Sequence, residues 1–306
     1  LRDRFLKSPD ATRNSSSAFA QGKLIVGHFH HGLRGSDADH DAAFVKSLCE
    51  QQGIVCEMGE IDAEHLKKFP REGWESTLRK KRYDFLTKLA ERNGARYVAT
   101  GHTMDDQVET ILHRVIRGTG LRGLSGMPRS RSLSPAVSLI RPMLTLSRCI
   151  AQEYLRAQGV DWQKDLSNDS EEFTRNRIRH GLLPLLEREF NPQASAAILR
   201  LGHLAGEAQE IVDQTIEQAL ENCNWKKQNK TLELEICTLR IDSEFLVREL
   251  LISLWRKADW PLQAMGLSEW QCLVGLIKEP GVATRTLPGG VVAKKEGGKL
   301  TLHRPD

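Results

Sequence analysis

The sequence has no long hydrophobic run and no closely paired cysteines, and each absence excludes a class of protein. No apolar stretch approaches the ~20 residues that cross a bilayer, so we predict no membrane span. The six cysteines are scattered without a CxxC pair. That distribution argues against a zinc site or a disulfide framework and is typical of reduced thiols. We therefore expect a cytoplasmic protein.

The excess of positive charge is also small. The 306 residues carry a formal net charge of +4, with 40% hydrophobic and 27% charged residues, as in a soluble globular protein. A mild basic excess permits a nucleic-acid partner without demonstrating one. The length is sufficient for two domains of ordinary size.

Short apolar runs alternate with amphipathic segments in the first 190 residues. Residues 23–29, 54–58 and 97–100 predict strands, whereas 74–93 and 104–117 predict helices. This alternation indicates an α/β fold with a parallel sheet, whose sites lie beyond the carboxyl ends of the strands.

Later segments are predicted with less regular patterns. We interpret residues 128–138 as a Ser/Arg/Pro loop and 194–222 as wholly helical. The Asn191-Pro192 dipeptide predicts the start of a second domain. We therefore expect a catalytic domain over 1–192 and a smaller, substrate-binding helical or α+β domain over 193–306.

Acidic residues open the helix that follows the third predicted strand. His102, Asp106 and Glu109 stand at i, i+4 and i+7, so they share one helix face, and Thr103 can cap its first turn. Carboxylates at the end of a strand suit a hydrated Mg²⁺ that also holds substrate phosphates. An ordinary acidic cap explains the aspartates equally well, whereas Glu109 favours a site.

Two basic segments also stand out. Arg175, Arg177 and Arg179 form a dense turn at a helix start, and arginine forks suit phosphates. Glu75 and Arg79 are spaced i,i+4 on a predicted helix. From the spacing alone, a solvated charged face for the arginines and a surface ion pair for Glu75 and Arg79 are favoured over a site.

These segments occur in an order that resembles the motifs of the tRNA(Ile)-lysidine synthetase family, a member of the PP-loop ATP pyrophosphatase group. The resemblance covers about residues 24–190, and a looser likeness continues to 306. The motifs are His31-Gly32-Leu33-Arg34-Gly35, Gly101-His102, Asp105-Asp106-Gln107-Val108-Glu109-Thr110, Arg117-Gly118, Gly123-Leu124, Gly126-Met127, Arg141-Pro142, Asp165 with Asn168, Arg175-Asn176-Arg177-Ile178-Arg179 and Leu183-Pro184.

The resemblance implies an adenine nucleotide α-hydrolase-like (Rossmann-like) parallel sheet and a specific reaction. In this family ATP adenylates O2 of the wobble cytidine in the CAU anticodon of tRNA(Ile), and free lysine then displaces AMP to form lysidine. ATP as substrate, Mg²⁺, lysine and tRNA(Ile) are the implied ligands. The family often forms homodimers, and no feature of this sequence decides that question.

The resemblance also implies residue roles. Asp106, Glu109 and Arg175 would be catalytic, with Asp106 and Glu109 serving the metal, the attacking lysine or both. Residues that would bind ATP or substrate are His30, Arg34, Glu75, Arg79, His102, Asn176 and Arg179.

The sequence departs from the family pattern at two points. The family's Ser-Gly-Gly-x-Asp-Ser loop, whose amides cradle pyrophosphate, and the strand before it have no counterpart in residues 1–22. We therefore expect that both lay upstream of Leu1 and that this chain by itself is inactive or severely impaired. Thr103 replaces a second histidine that usually follows His102.

Other readings of the same motifs stay open. A PP-loop tRNA thiolase is the nearest alternative, but such enzymes need cysteines, typically as CxxC, whereas Cys49 and Cys56 are seven residues apart. A non-catalytic tRNA-binding remnant would keep the basic surface without ATP chemistry. An NAD or GMP synthetase is disfavoured by the segment from Arg175 to Arg179.

Overall fold

The computed structural model describes residues 23–30, 36–61, 74–163, 174–236, 239 and 241–305. The chain divides into two compact units. Unit 1 comprises Leu1–His102 and Arg129–Leu166, and unit 2 comprises Thr103–Pro128 and Ser167–Asp306. The domain boundary predicted after residue 192 stays a prediction. Over the described ranges, no helix is long and apolar enough to cross a membrane.

Strands and helices alternate in the first half of the chain and segregate in the second. The elements in chain order are β1 (Ile25–His30), α1 (Ser36–Gln51), β2 (Val55–Glu60), α2 (Trp74–Arg92), β3 (Tyr97–Ala99), α3 (Met104–Ile116), α4 (Leu121–Leu124), β4 (Ser130–Ser132), β5 (Ser138–Ile140), α5 (Arg148–Ala157), α6 (Thr174–Arg177), a π-helical turn (Ile178–Leu182), α7 (Leu183–Glu189), α8 (Ala194–Glu221), β6 (Trp225–Gln228), β7 (Thr231–Glu235), α9 (Glu244–Lys257), α10 (Leu267–Lys278), β8 (Ala283–Thr286), β9 (Val292–Glu296) and β10 (Lys299–His303).

Unit 1 contains two small sheets that both pack against α2. β1 pairs with β2 in parallel, and β3 pairs in parallel with β5. The predicted parallel α/β architecture is therefore confirmed. A Cβ on Gly27 of β1 would lie within 2.8 Å of the methyl ends of Leu86 and Leu89 of α2, so the strand and the helix pack closely at this glycine. Val98 of β3 packs with Tyr83 of α2 in a second cluster.

The prediction of a continuous loop over 128–138 is wrong. Ser130–Ser132 forms β4, which pairs antiparallel with β5. All three residues of β4 are exposed. The strand therefore has no apolar alternation from which it could be recognised, and it is stabilised by the backbone hydrogen bonds of the ladder.

Unit 2 contains the helix α3, the long helix α8 and an antiparallel sheet. Gly202 of α8 lies against Ile111 of α3, where a Cβ would meet the isoleucine at 2.6 Å. The five-stranded sheet has the order β6-β7-β10-β9-β8. Gly297 and Gly298 adopt positive φ in the tight hairpin turn between β9 and β10. Strand β6 was not predicted.

The largest core lies between this sheet and the helices α9 and α10. Trp255 is almost fully buried and contacts the rings of Trp260 and Trp270 edge-on, at centroid distances of 4.8 and 5.4 Å. These three tryptophans are therefore core residues, and they stabilise packing through ring geometry as well as area.

Truncation of a leucine in this core tests the packing. Leu250→Ala should lower the free energy of unfolding by about 2–5 kcal/mol, because the buried side chain leaves a cavity. Leu204→Ala on α8, whose leucine is 62% exposed, is the matched control and should change it by less than about 0.5 kcal/mol. Urea unfolding followed by circular dichroism measures both, and equal losses would contradict the assigned core.

Candidate active site

The start of α3 is closed by a capping box between Thr103 and Asp106. The Thr103 hydroxyl accepts from the Asp106 amide at 3.5 Å, and the Thr103 amide donates to Asp106 Oδ2 at 2.8 Å. The hydroxyl also donates to the same oxygen at 3.0 Å. The predicted cap is confirmed, and Asp106 Oδ2 is used within it.

One turn further along α3, Glu109 is almost completely buried. Its side chain is 1% exposed and accepts three hydrogen bonds from two arginines. Arg175 Nε donates to Oε2 at 2.7 Å, while Arg179 donates from Nε to Oε1 at 2.6 Å and from Nη2 to Oε2 at 3.0 Å. Because a buried carboxylate is costly without such partners, these bonds are what permit Glu109 at this position.

The two arginines come from the segment where α6 passes into the π-helical turn. Arg175 and Arg179 are four residues apart and reach the same carboxylate. Burial would lower the pKa of Arg179, but the hydrogen bond and charge of Glu109, with Asp106 and Asp105, raise it above its usual value. A π-turn inside a helix is often associated with function, and here it contains Arg179.

The guanidinium group of Arg175 is bound by carboxylates through two of its nitrogens and is partly exposed to solvent. Its Nη2 donates to Asp106 Oδ1 at 3.0 Å, in addition to the Nε bond to Glu109. Its side chain is nevertheless 39% exposed, and Nη1 donates to no residue in the described part of the chain. The arrangement therefore presents oriented N–H donors to an anionic ligand.

The same contacts decide how well the site fits a metal. All four carboxylate oxygens of Asp106 and Glu109 accept hydrogen bonds, from Thr103, Arg175 and Arg179. Within the described ranges, no group of three or more His, Cys, Asp or Glu side chains could hold a metal ion. Two guanidinium groups thus neutralise the carboxylates, and this arrangement does not fit Mg²⁺. The metal assignment stays a prediction that the geometry does not support.

The loop after α3 is fastened by side chains that the sequence analysis did not single out. Gln107 accepts from the Met127 amide at 2.7 Å and donates to the Met127 carbonyl at 3.1 Å. Arg114 donates to the carbonyls of Gly123 and Gly126 at 2.9 and 2.7 Å. Arg114 therefore anchors the loop to α3. The available signal was its position seven residues after Gln107, on the same face of α3 and just before a glycine-rich loop.

The remaining predicted residues lie in several places. Asn176 is buried in α6 of unit 2. In unit 1, His30 Nε2 lies 3.2 Å from Asp39 Oδ1, and His102 Nδ1 lies 2.9 Å from the Thr100 hydroxyl. Arg79 is exposed on α2, 5.5 Å from the centre of the Tyr83 ring. Arg34 and the side chain of Glu75 lie outside the described residues.

Comparison with known proteins identifies the relatives of this chain. The PP-loop domain family matches residues 10–186. A tRNA(Ile)-lysidine synthase of Rhodopirellula baltica is 34% identical over 277 residues, covering 84% of this chain and 69% of that protein. The synthase of Geobacillus kaustophilus is 35% identical, and the match covers 70% of this chain and 46% of that protein. The synthase of Solibacter usitatus is 42% identical, and the match covers 60% of this chain and 39% of that protein.

These proteins are longer than the part that the chain matches. The chain spans less than half the length of the second and third relatives. A solved structure, the U34-tRNA thiolase NcsA from Methanococcus maripaludis with its [4Fe-4S] cluster, has a TM-score of 0.48 at 16% identity, covering 60% of this chain and 63% of that one. Similarity at that level carries no argument about activity.

Neutralising Glu109 tests the buried ion-pair cluster. Glu109→Gln should lower the free energy of unfolding by about 3 kcal/mol, since one partner of a buried ion pair is lost while two arginines remain. The exposed Glu207 pairs with His203 on the surface of α8, so Glu207→Gln is the control and should cost less than about 0.5 kcal/mol. Urea unfolding at neutral pH compares them. A loss no larger than that of the control would show that the cluster contributes no stability.

Proposed function

Because this chain belongs to the tRNA(Ile)-lysidine synthase family of PP-loop proteins, we propose that it ligates lysine to C2 of the wobble cytidine of tRNA(Ile). ATP is the energy source, and the CAU anticodon carries the target base. The observation that supports this most directly is the presentation of Arg175 and Arg179 by the buried Glu109. The partners are tRNA(Ile), free lysine and ATP, and a homodimer remains a prediction.

The reaction has two steps whose charges explain the residue types. Cytidine O2 attacks the α-phosphorus of ATP, an O–P bond forms, and the bond to the leaving pyrophosphate breaks. The lysine ε-amine then attacks C2, the C–O bond breaks, AMP leaves, and the amine loses a proton. Negative charge accumulates on phosphate oxygens during the first step, so oriented cations lower its barrier.

The arginines supply those cations. The guanidinium of Arg175 is fixed by Glu109 and Asp106, and its Nη1 projects from a side chain that is 39% exposed. Arg179 is more deeply placed and keeps its charge beside Glu109. A cation already oriented before the substrate arrives needs no reorganisation during the reaction, and this increases its stabilising effect.

The carboxylates have a positioning role in this mechanism. Asp106 and Glu109 hold the arginines and, as acceptors, also suit the ε-ammonium of lysine before it is deprotonated. Mg²⁺ would neutralise ATP phosphates if bound, but no step here depends on it, because the carboxylate oxygens already accept hydrogen bonds from this chain.

Removal of either carboxylate tests the proposal in a chain that carries the Ser-Gly-Gly-x-Asp-Ser loop. Asp106→Ala or Glu109→Ala should lower lysidine formation at least about 100-fold, as when an oriented charge-stabilising group is lost. Binding of tRNA should be nearly unchanged. Incorporation of radiolabelled lysine into an isoleucine tRNA transcript measures the first effect, and filter binding the second. Glu207→Ala is the control, and strong loss of tRNA affinity in either variant would contradict the assigned roles.

The missing phosphate loop generates a separate expectation. Residues 1–306 alone should form lysidine poorly or not at all, since they contain no Ser-Gly-Gly-x-Asp-Ser sequence to cradle pyrophosphate. The same lysine-incorporation assay, with the loop-containing chain as the positive control, measures this. A full rate from residues 1–306 would contradict it.

A further inference from the structure

Three sulfur atoms come together in unit 1, where helix α1 meets strand β2. The Cys56 thiol donates to Met58 Sδ at 3.7 Å, and it is also hydrogen-bonded with the thiol of Cys49. Cys49 is buried near the end of α1, whereas Cys56 and Met58 belong to β2. One sulfur of the helix and two of the strand thus form a sulfur cluster, which consists of Cys49, Cys56 and Met58.

The turn between α1 and β2 brings the two cysteines together, although they are seven residues apart in the sequence. The Ile54 amide donates to the Cys49 carbonyl at 2.8 Å, and Gly53 adopts a φ of +60°, which favours glycine. Residues two apart in a strand lie on one face, so Cys56 and Met58 share the face that meets α1. The backbone therefore arranges all three sulfurs at one place.

The spacing of the sulfurs fits a metal ion between them. Sulfur ligands lie about 2.3 Å from a first-row metal ion, so two of them in a tetrahedral or trigonal site are about 3.7–4.0 Å apart. The 3.7 Å between Cys56 Sγ and Met58 Sδ lies at the short end of that range. Little movement of these two side chains is therefore needed for both to reach one ion.

The electrostatic environment of Cys56 also favours a cation. Burial and the neighbouring Cys49 both raise the pKa of the Cys56 thiol, while the charge of Lys46 opposes them. Two adjacent thiolates repel each other, and a cation bound to both sulfurs would supply the opposite charge. Thiols with a raised pKa are poor nucleophiles, so disulfide exchange is disfavoured at this pair.

The kind of donor identifies the class of ion. Thiolate and thioether sulfurs are soft ligands that select Cu(I), which accepts two or three of them, over hard ions such as Mg²⁺. Structural Zn²⁺ sites are almost always four-coordinate, and the described part of the chain offers no group of three His, Cys, Asp or Glu that could hold a metal. Met58 is 43% exposed, so an ion can enter from solvent past its thioether.

We propose that Cys49, Cys56 and Met58 form a binding site for one Cu(I) ion. Binding breaks two S–H bonds, forms two bonds from copper to thiolate and one to thioether, and releases both protons to solvent, while the copper stays monovalent. The site uses none of the residues assigned to lysidine formation, so it is independent of the proposed function.

Anaerobic titration of the reduced full chain measures this binding. The probe is Cu(I) supplied as its acetonitrile complex, in competition with the chromogenic chelator bicinchoninate. One ion should bind tightly per chain, with about two protons released at neutral pH, because thiol ligands must be deprotonated. X-ray absorption should show sulfur at about 2.3 Å from copper, as in other metal–thiolate sites, with no nitrogen or oxygen ligand.

Substitutions separate this site from the other thiols of the chain. Cys56→Ser should weaken Cu(I) binding at least about 100-fold, more than the loss of a residue that hydrogen-bonds to a metal ligand. Met58→Leu conserves the volume of an exposed side chain and should cause a smaller loss of affinity with the fold retained. Cys149→Ser removes an exposed thiol of the same unit and is the matched control, with unchanged affinity. Far-UV circular dichroism checks that each variant is folded.

Three results would overturn the proposal. These are no tight Cu(I) binding by the unaltered chain, equal affinities of the Cys56→Ser and Cys149→Ser variants, or nitrogen and oxygen ligands around the bound copper. The first result would leave the three sulfurs as packing groups between helix and strand. Displacement of bound Cu(I) by an equal concentration of Zn²⁺ would overturn the choice of metal.

Discussion

The buried carboxylate of Glu109 determines how helix α3 and the segment around the π-turn are held together in unit 2. Its burial is tolerated because Arg175 and Arg179 donate three short hydrogen bonds to it. Those bonds couple helix α3 to the segment around the π-turn, and they fix the direction in which Arg175 points. The positions of these two cations therefore depend on one acidic side chain.

Two clusters of arginines differ in their charge balance. In unit 2, Asp106 and Glu109 neutralise Arg175 and Arg179, so the cluster is stable and preorganised without a ligand. Around Tyr83 in unit 1, arginines converge without described acidic partners. The balanced cluster of unit 2 is therefore preorganised for chemistry at defined atoms.

Local sequence patterns were sufficient to predict elements that depend only on residues close in the sequence. The spacing of apolar residues predicted α3, and the Thr103 cap with Asp106 three residues later follows from the same turn. Strand β4 could not be predicted in this way, because Ser130–Ser132 has no buried face. Its existence depends on a ladder with β5, which is a property of the fold rather than of the segment.

The sequence by itself determined the α/β class, the acidic face of α3 and the basic character of residues 175–179, since each is encoded in local composition and period. Only the tertiary structure decided that Glu109 binds Arg175 and Arg179, 66 and 70 residues away. The same holds for Arg114, which proved to be a loop anchor, and for the convergence on Tyr83. Side-chain spacing reports which residues share a helix face, but the partner across that face is chosen by packing and desolvation, and these exist only in the folded chain.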